Sequence, residues 1–374
     1  MTDDVFESTD SLRSGAPLKY LRQVTWEEPL KLERGDVLPS VTVAYETYGQ
    51  LSAARDNGVL ICHAISGDSH VARHDPDDDP GWWDAMIGPG RLIDTNELYV
   101  VCSNLLGGCR GTTGPGSINP ATGDCWGTHF PLITINDMVD VQRRLQQYLG
   151  IDTWLAVVGG SLGGHQALVW ALRYPDAVRG CIPIATSPRL TSQALAFDVV
   201  ARNAILRDPD FHGGQYYDKS TQPSAGLAIA RMLGHITYLS PEAMGRKFDL
   251  NRHEPRDVQT EFEKRFSVGS YLAYQGDRFV ERFDANSYVT ISLALDMFDL
   301  GVSGQELRDR FRRASCAWQV ISFSSDWLFT PEQSRQIVDA LIQNDREVGY
   351  CEITCDCLLY TSDAADDRRG GVIW

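Results

Sequence analysis

Apolar and polar positions alternate along the first half of the chain with two different periods. Short apolar runs rich in β-branched residues are followed by segments whose apolar residues recur at helical spacing. Strand-like runs cover residues 41–47, 58–62, 98–103, 154–158 and 178–185, and helical spacing covers residues 135–149 and 164–174. Buried strands that alternate with helices are typical of a mostly parallel sheet flanked by helices. The pattern therefore predicts an α/β architecture.

The pattern changes between residues 187 and 306, where helical segments are separated by polar stretches rich in Gly and Pro. Alternation resumes with a strand at residues 318–323, followed by a polar loop and a helix that opens at Pro331. We therefore predict a core formed by residues 1–186 and 307–356. A helical lid, residues 187–306, is inserted between strands of its sheet.

Composition excludes several classes of partner. The 374 residues carry 34 Lys and Arg against 50 Asp and Glu, a formal net charge of −16, which argues against nucleic acid or an anionic membrane as main partner. No apolar run approaches the roughly 18 residues of a membrane span. The nine cysteines are scattered and form no zinc-type pattern, so we expect reduced thiols, no metal site and a cytoplasmic protein.

Residues 159–164, Gly-Gly-Ser-Leu-Gly-Gly, contain the pattern G-x-S-x-G between a predicted strand and a predicted helix. That context is the one required by a nucleophile elbow, a tight turn that lifts a Ser hydroxyl clear of the sheet. A tight turn with a bystander Ser and a phosphate-binding loop are the alternatives, although no Lys follows as in a P-loop. Ser161 is therefore the candidate nucleophile.

A serine nucleophile needs an orienting acid and an oxyanion hole. Asp326 follows the strand at residues 318–323, where an acid would be carried, although a loop Asp is also a common turn-former. The backbone N–H of Leu162 is one candidate oxyanion donor. The turn at residues 63–67 is the candidate source of the second, with Ile65 as the donor.

The sequence has no histidine at the position expected for the general base of Ser161. All eight histidines precede Asp326, whereas a base of this type stands on a loop after the last strand. We expect His165 to be a helix-face residue and His63 to be structural. His235 in the lid is a remote substitute.

Taken together, the motifs resemble the homoserine O-acyltransferases of the α/β-hydrolase fold, the homoserine O-acetyltransferase type of methionine biosynthesis. The resemblance runs from about residue 21 to residue 356. It rests on residues 44–49 (Ala-Tyr-Glu-Thr-Tyr-Gly), 62–70, 81–83 (Gly-Trp-Trp), 104–115, 159–164, 231–238 and 325–329. It implies an α/β-hydrolase fold with an inserted helical lid.

The resemblance also implies the chemistry. Ser161 would take an acyl group from acyl-CoA, the co-substrate, and L-homoserine would then accept it, with no bound cofactor. Arg231 would pair with the homoserine carboxylate, Tyr238 would support it, and a homodimer would form through the lid. Acetyl is the preferred acyl group, with succinyl, or serine as acceptor, left open. An ester hydrolase and a non-catalytic binding protein are the alternatives.

The family ordinarily closes with a Gly-His-Asp-Ala-Phe-Leu segment that carries the base. Residues 357–374 contain neither this segment nor an amphipathic pattern. We therefore expect residues 357–374 to be an aberrant tail, and the chain as written to be catalytically impaired.

Overall fold

The computed structural model describes residues 18–249 and 266–354, and its centre is an eight-stranded sheet. The strands of this sheet are β1 (Arg22–Trp26), β2 (Val41–Tyr48), β3 (Gly58–Cys62), β4 (Tyr99–Ser103), β5 (Ala156–Gly160), β6 (Gly180–Ile184), β7 (Ala317–Phe323) and β8 (Val348–Ile353). Two short ladders pair Leu30–Lys31 with Val37–Leu38 and Ile87–Gly88 with Ile93–Asp94.

The strand order in the sheet is β1-β2-β4-β3-β5-β6-β7-β8. Strand β2 runs antiparallel to both of its neighbours, β1 and β4. The pairings β4-β3, β3-β5, β5-β6, β6-β7 and β7-β8 are all parallel. This confirms the predicted mostly parallel sheet. The antiparallel β1 at one edge and the parallel β8 at the other were not predicted from the apolar pattern.

The helices are α1 (Ile135–Tyr148), α2 (Leu162–Arg173), α3 (Ser192–Leu206), α4 (Ser224–Tyr238), α5 (Pro241–Phe248), α6 (Ser267–Val280), α7 (Ala285–Asp296), α8 (Gly304–Phe311) and α9 (Pro331–Ile342). Short 3₁₀ turns cover Gly127–His129, Pro175–Ala177 and Pro209–Gly214. In the part of the chain described here, no helix has the length and apolar character that crossing a membrane requires.

Most predicted elements agree with the structure to within two residues. Strand β5 begins at Ala156 rather than at residue 154, because Trp154 makes only an isolated bridge to Val178 before the ladder starts. Helices α3 to α7 fall within the predicted lid, residues 187–306, while the domain bounds themselves stay a prediction. The expected aberrant tail, residues 357–374, lies outside the described residues.

Helix α2 lies deep in the core. Residues 162–171 are all buried, because this helix packs against β3, β5 and β6. A helix that is apolar around most of its circumference is suited only to such a position. The helix that follows Ser161 is therefore fixed in place by the core of the sheet.

Two tryptophans fill the base of this core. Trp154 and Trp170 are both fully buried and meet edge to face, with ring centroids 6.4 Å apart. The Trp170 indole N–H donates to Gln142 Oε1 at 2.8 Å, whereas the Trp154 indole N–H has no partner among the described residues. The two side chains are therefore equally buried, but only the Trp170 indole N–H has a hydrogen-bond partner among the described residues.

We expect Trp170→Phe to destabilise the protein more than Trp154→Phe. Both changes remove similar volume, but only the first removes the indole donor from Gln142 Oε1 and leaves this buried oxygen with the weak, long contact of the Cys62 thiol at 4.0 Å, which costs about 1–3 kcal/mol. Urea unfolding followed by far-UV circular dichroism measures both variants. Equal losses would show that the indole hydrogen bond contributes nothing to stability.

Candidate active site

Ser161 stands at a strained turn between β5 and α2. Its backbone has φ 56° and ψ −123°, a conformation that a residue with a side chain rarely adopts. The Ser161 N–H donates to the Ile184 carbonyl at 3.0 Å, which fixes the turn against β6. The predicted nucleophile elbow is thus present in the structure, with Ser161 as the N-cap of α2.

Glycines around Ser161 allow the helix to approach the sheet. A Cβ on Gly159 would lie 2.2 Å from the Gly163 carbonyl oxygen, and one on Gly163 would lie 1.9 Å from the Cys62 carbonyl oxygen. Neither contact is sterically possible, so both positions require glycine. In contrast, a Cβ on Gly160 would meet nothing closer than the Ile184 oxygen at 3.9 Å.

Ser161 opens into a pocket that most of the candidate residues share. Its apolar wall includes Ile65, Trp82, Trp83, Leu328 and Phe329, and its polar members are Ser66, Ser161, Tyr238 and Asp326; Cys62, Ala64, Gly160, Ile184 and Ala185 complete the lining. The structure therefore brings together Ser161, Asp326, Ile65 and Tyr238, which are distant in sequence. An apolar pocket with a few convergent polar groups is typical of a small-molecule site.

Asp326 lies in the loop after β7 and is 3% exposed. Its Oδ1 accepts hydrogen bonds from the backbone N–H groups of Leu328 and Phe329, each at 2.9 Å. Its Oδ2 has no hydrogen-bond partner among the described residues. Burial raises the pKa of Asp326 to about 7, although the two backbone donors act in the opposite direction. The carboxyl group is held rigidly on one oxygen only.

The described histidines do not supply a base for Ser161. His165 Nδ1 lies 3.0 Å from the Ser161 carbonyl oxygen, and its Nε2 lies 3.4 Å from Ser187 Oγ. Burial lowers the pKa of His165 to about 4, although the Ser161 carbonyl acts to raise it. His165 is fully buried, so the geometry agrees with its interpretation as a structural residue.

In His63 and in His235, Nδ1 is engaged with a group other than Ser161. His63 Nδ1 lies 2.7 Å from the Ala64 carbonyl oxygen, and burial lowers its pKa. His235 Nδ1 lies 3.0 Å from the Tyr271 hydroxyl. As far as the structure describes the pocket wall, no histidine lines it.

The two candidate oxyanion donors occupy different elements. Leu162 is the first residue of α2, where backbone N–H groups have no partner within the helix. Ile65 lies in the turn after β3 and lines the pocket. Arg282, which sequence reasoning did not single out, donates from Nη1 to the Ser66 carbonyl at 2.7 Å. The lid thereby contacts the same turn.

The predicted substrate-binding pair lies on α4, but only one member reaches the pocket. Tyr238 lines it, whereas Arg231 is 2% exposed and is not part of the described lining. The Arg231 guanidinium carbon lies 4.8 Å from the Phe279 ring centroid and 5.9 Å from that of Tyr238. Arg231 is therefore adjacent to the pocket through Tyr238.

Fold and site together define an α/β-hydrolase-fold protein with a serine nucleophile elbow and a helical lid. Residues 57–350 match the family model described as alpha/beta hydrolase fold. The sequence is 52% identical to a homoserine O-succinyltransferase of Aromatoleum aromaticum, over 88% of each chain. It is 58% identical, over 97% of its length, to the bifunctional methionine biosynthesis protein MetXA/MetW of Rhodopirellula baltica, and it spans 59% of that protein.

Solved structures with the same fold include a transferase and an esterase. The homoserine O-acetyltransferase from Bacillus anthracis superposes with a TM-score of 0.81 at 28% identity, over 92% of this chain and 94% of that one. Esterase E22 gives the same TM-score and identity, over 91% and 96%. The chain belongs to the homoserine O-acyltransferase family of α/β-hydrolase-fold proteins, as the sequence motifs indicated.

We expect Gly163→Ala to destabilise the protein strongly and Gly160→Ala to be tolerated. The first adds a methyl group against the Cys62 carbonyl, which we expect to cost about 3 kcal/mol, the upper end of the usual cost of overpacking, because neither backbone can move freely. The second adds it where there is room. Thermal unfolding and soluble yield of the two variants provide the comparison, and a Gly163→Ala protein as stable as Gly160→Ala would contradict the close approach.

Asp326→Asn should change how stability depends on pH. The pKa of this carboxyl is about 7 in the folded protein and about 3.9 in an unfolded chain, so the folded state binds the extra proton between these values. Wild-type stability therefore falls as pH rises from about 4 to 7, by at most about 4 kcal/mol from this group. Asn cannot ionise, so the variant lacks this fall.

Urea unfolding of wild type and Asp326→Asn at pH 4.5 and pH 8 measures that difference. The variant should gain stability relative to wild type at the higher pH. Parallel pH profiles would show that Asp326 ionises normally.

Proposed function

We propose that the protein transfers an acyl group from acyl-CoA to the hydroxyl of L-homoserine through an acyl-Ser161 intermediate. The observation that carries the proposal is the elbow serine in a pocket shared with Asp326 and the lid residue Tyr238. The chain is also 52% identical to a homoserine O-succinyltransferase over most of its length. The Rhodopirellula relative is named a methionine biosynthesis protein, which supports a role in that pathway.

Each half-reaction is an acyl transfer at one carbonyl carbon. Ser161 Oγ loses its proton to a base and bonds to the thioester carbonyl, and the C–S bond breaks to release CoA. The homoserine hydroxyl then attacks the acyl-serine, and the Ser161 ester bond breaks. In both steps negative charge develops on the carbonyl oxygen, where the N–H groups of Leu162 and Ile65 are the proposed donors.

Asp326 is proposed to orient and stabilise the base, because its Oδ2 is the one carboxyl oxygen not held by backbone N–H groups. No histidine follows Asp326 in the sequence, and none lines the described pocket. We therefore propose that the chain as written acylates Ser161 only slowly. Loss of a triad member leaves the contribution of the oxyanion hole and of binding.

The acyl donor is the finer part of the proposal. Acetyl is the donor expected from the sequence motifs, but the relatives at 50–52% identity are named homoserine O-succinyltransferases. These are more similar to the chain than the Bacillus anthracis acetyltransferase of known structure is, at 28%. We therefore place succinyl-CoA ahead of acetyl-CoA as donor.

An ester hydrolase is the second candidate, since esterase E22 matches the fold as well as the acetyltransferase does. Higher sequence similarity to the transferases favours transfer to homoserine.

A cytoplasmic homodimer remains part of the proposal. The lid helices α3 and α4 expose apolar side chains that would suit a second copy, namely Val199 (48%), Val200 (56%) and Ile229 (50%).

The test compares the chain as written with one in which residues 357–374 are replaced by a family-like Gly-His-Asp end. CoA release is measured with succinyl-CoA or acetyl-CoA, with and without L-homoserine. We expect homoserine-dependent release from the replaced chain, faster with succinyl-CoA, and release near background from the chain as written. Ser161→Ala should abolish release in both.

Release that does not depend on homoserine would favour the hydrolase. No release above the Ser161→Ala background in the replaced chain would favour a non-catalytic protein. Comparable rates from the two chains would show that an upstream histidine serves as base.

Arg231→Ala should impair transfer to homoserine far more than acylation by acyl-CoA. In the proposal its guanidinium binds the acceptor carboxylate and does not bind acyl-CoA, and a lost charge-assisted hydrogen bond costs about 1.5–3 kcal/mol, roughly a 10-fold to 150-fold loss. Single-turnover measurement of each half-reaction separates the two effects. Arg207→Ala, an exposed arginine of the same lid, is the control. Equal losses in both half-reactions would assign Arg231 a structural role.

A further inference from the structure

A second cluster of polar side chains lies outside the acyl pocket. Glu46 on β2 is fully buried, and two imidazoles from the loop after β3 approach the same carboxylate oxygen. His70 Nδ1 lies 3.0 Å and His74 Nε2 lies 2.8 Å from Glu46 Oε2. The three ligand atoms all lie within 4.8 Å of one another. Two nitrogens and one oxygen thus converge on one small volume.

The hydrogen bonds around the cluster orient these atoms. His70 Nε2 lies 2.8 Å from the Asp79 carbonyl oxygen, which can only accept, so Nε2 carries a hydrogen. Nδ1 faces the Glu46 carboxylate, which also only accepts, so Nδ1 donates to it in the metal-free protein and would release that proton on binding an ion. The Tyr48 hydroxyl donates to Glu46 Oε2 at 2.9 Å. A histidine that donates its second ring N–H to a backbone carbonyl is the arrangement found around protein metal ions.

The ring of His74 is held from both faces. It stacks on Tyr48 with ring centroids 4.3 Å apart, and Tyr20 lies against it at 4.2 Å. His74 is the member of the cluster with partial exposure, its side chain being 16% exposed. The cluster is therefore preorganised and can be reached from solvent on one side.

We propose that Glu46, His70 and His74 bind a divalent transition-metal ion of the zinc type. Ligands at about 2.0–2.1 Å from a tetrahedral zinc lie about 3.3 Å from one another. The two contacts of Glu46 Oε2, at 2.8 and 3.0 Å, need to widen by a few tenths of an ångström, and the two imidazole nitrogens, which lie within 4.8 Å of each other, need to approach. Two imidazoles and one carboxylate favour zinc over calcium or magnesium, which prefer all-oxygen sites. Water completes the coordination.

The ion would tie β2 to the loop after β3. That loop carries Ile65 at its start and Trp82 and Trp83 near its end, all of which line the acyl pocket. The three ligands themselves are not part of the described pocket lining. The ion would therefore act on the position of this loop and not on the acyl group directly, and its binding can be measured without the acyl-transfer reaction.

Sequence reasoning did not anticipate this cluster and instead predicted no metal site. Zinc-type spacing is a local pattern of cysteines and histidines, whereas His70 and His74 lie 24 and 28 positions from Glu46 along the chain. Only the pairing of β2 with β4, and of β4 with β3, brings the strand beside the loop.

The test is zinc binding by competition with a chromophoric chelator, using protein whose affinity tag has been removed. Wild type should bind one zinc ion, and His74→Gln should lose more than about 100-fold in affinity, beyond the loss expected for an outer partner. His129→Gln, at an exposed histidine elsewhere, is the matched control and should bind as wild type does. Equal affinity in His74→Gln and wild type, or no zinc bound by wild type, would overturn the proposal.

Two further readouts separate the site from the thiols and from misfolding. With Co²⁺ replacing zinc, the wild-type spectrum should show visible d–d bands without the near-ultraviolet charge-transfer band of a cysteine ligand. Zinc should raise the Tm of wild type and of His129→Gln but not that of His74→Gln or Glu46→Gln. A thiolate band, or a zinc-induced rise in both ligand variants, would assign the ion to another site.

Discussion

The close approach of helix α2 to the central strands is the constraint on which the rest of the structure depends. Gly159 and Gly163 stand where any Cβ would overlap a backbone carbonyl, so the helix can begin within one residue of the strand. That geometry forces Ser161 into a positive φ and presents its side chain to the pocket. The strain is sustained because α2 is buried along its length against three strands.

Asp326 is held in place by backbone hydrogen bonds and not by a strained turn. Asp326 is buried at the end of β7 with one oxygen satisfied by backbone N–H groups and the other facing no described partner. Burial raises the pKa of the Asp326 carboxyl group. A buried oxygen without a partner also costs free energy unless a cationic or donating group binds it. This Oδ2, unpartnered among the described residues, is the feature on which the proposed role of Asp326 beside a base depends.

The local sequence pattern was sufficient for the parts of the fold with strong periodicity. Buried runs such as β3 and the G-x-S-x-G turn predict strands and an elbow, because their patterns depend on neighbouring residues alone. Asp326 could be placed by its position after a strand. Edge strand β1 was not predicted, since it has no buried residue and its alternation of exposed and half-buried side chains covers only four positions. Arg282 and the cluster at Glu46 depend on contacts between distant segments, which no local pattern encodes.

In the proposed reaction Ser161 carries the acyl group. The most direct measurement is peptide mapping by tandem mass spectrometry after the chain with the histidine-containing end has reacted with succinyl-CoA in the absence of homoserine. We expect one acyl group on the peptide that contains Ser161, located on that serine and removed when homoserine is added. An acyl group on a cysteine or on another hydroxyl, with Ser161 unmodified, would contradict it.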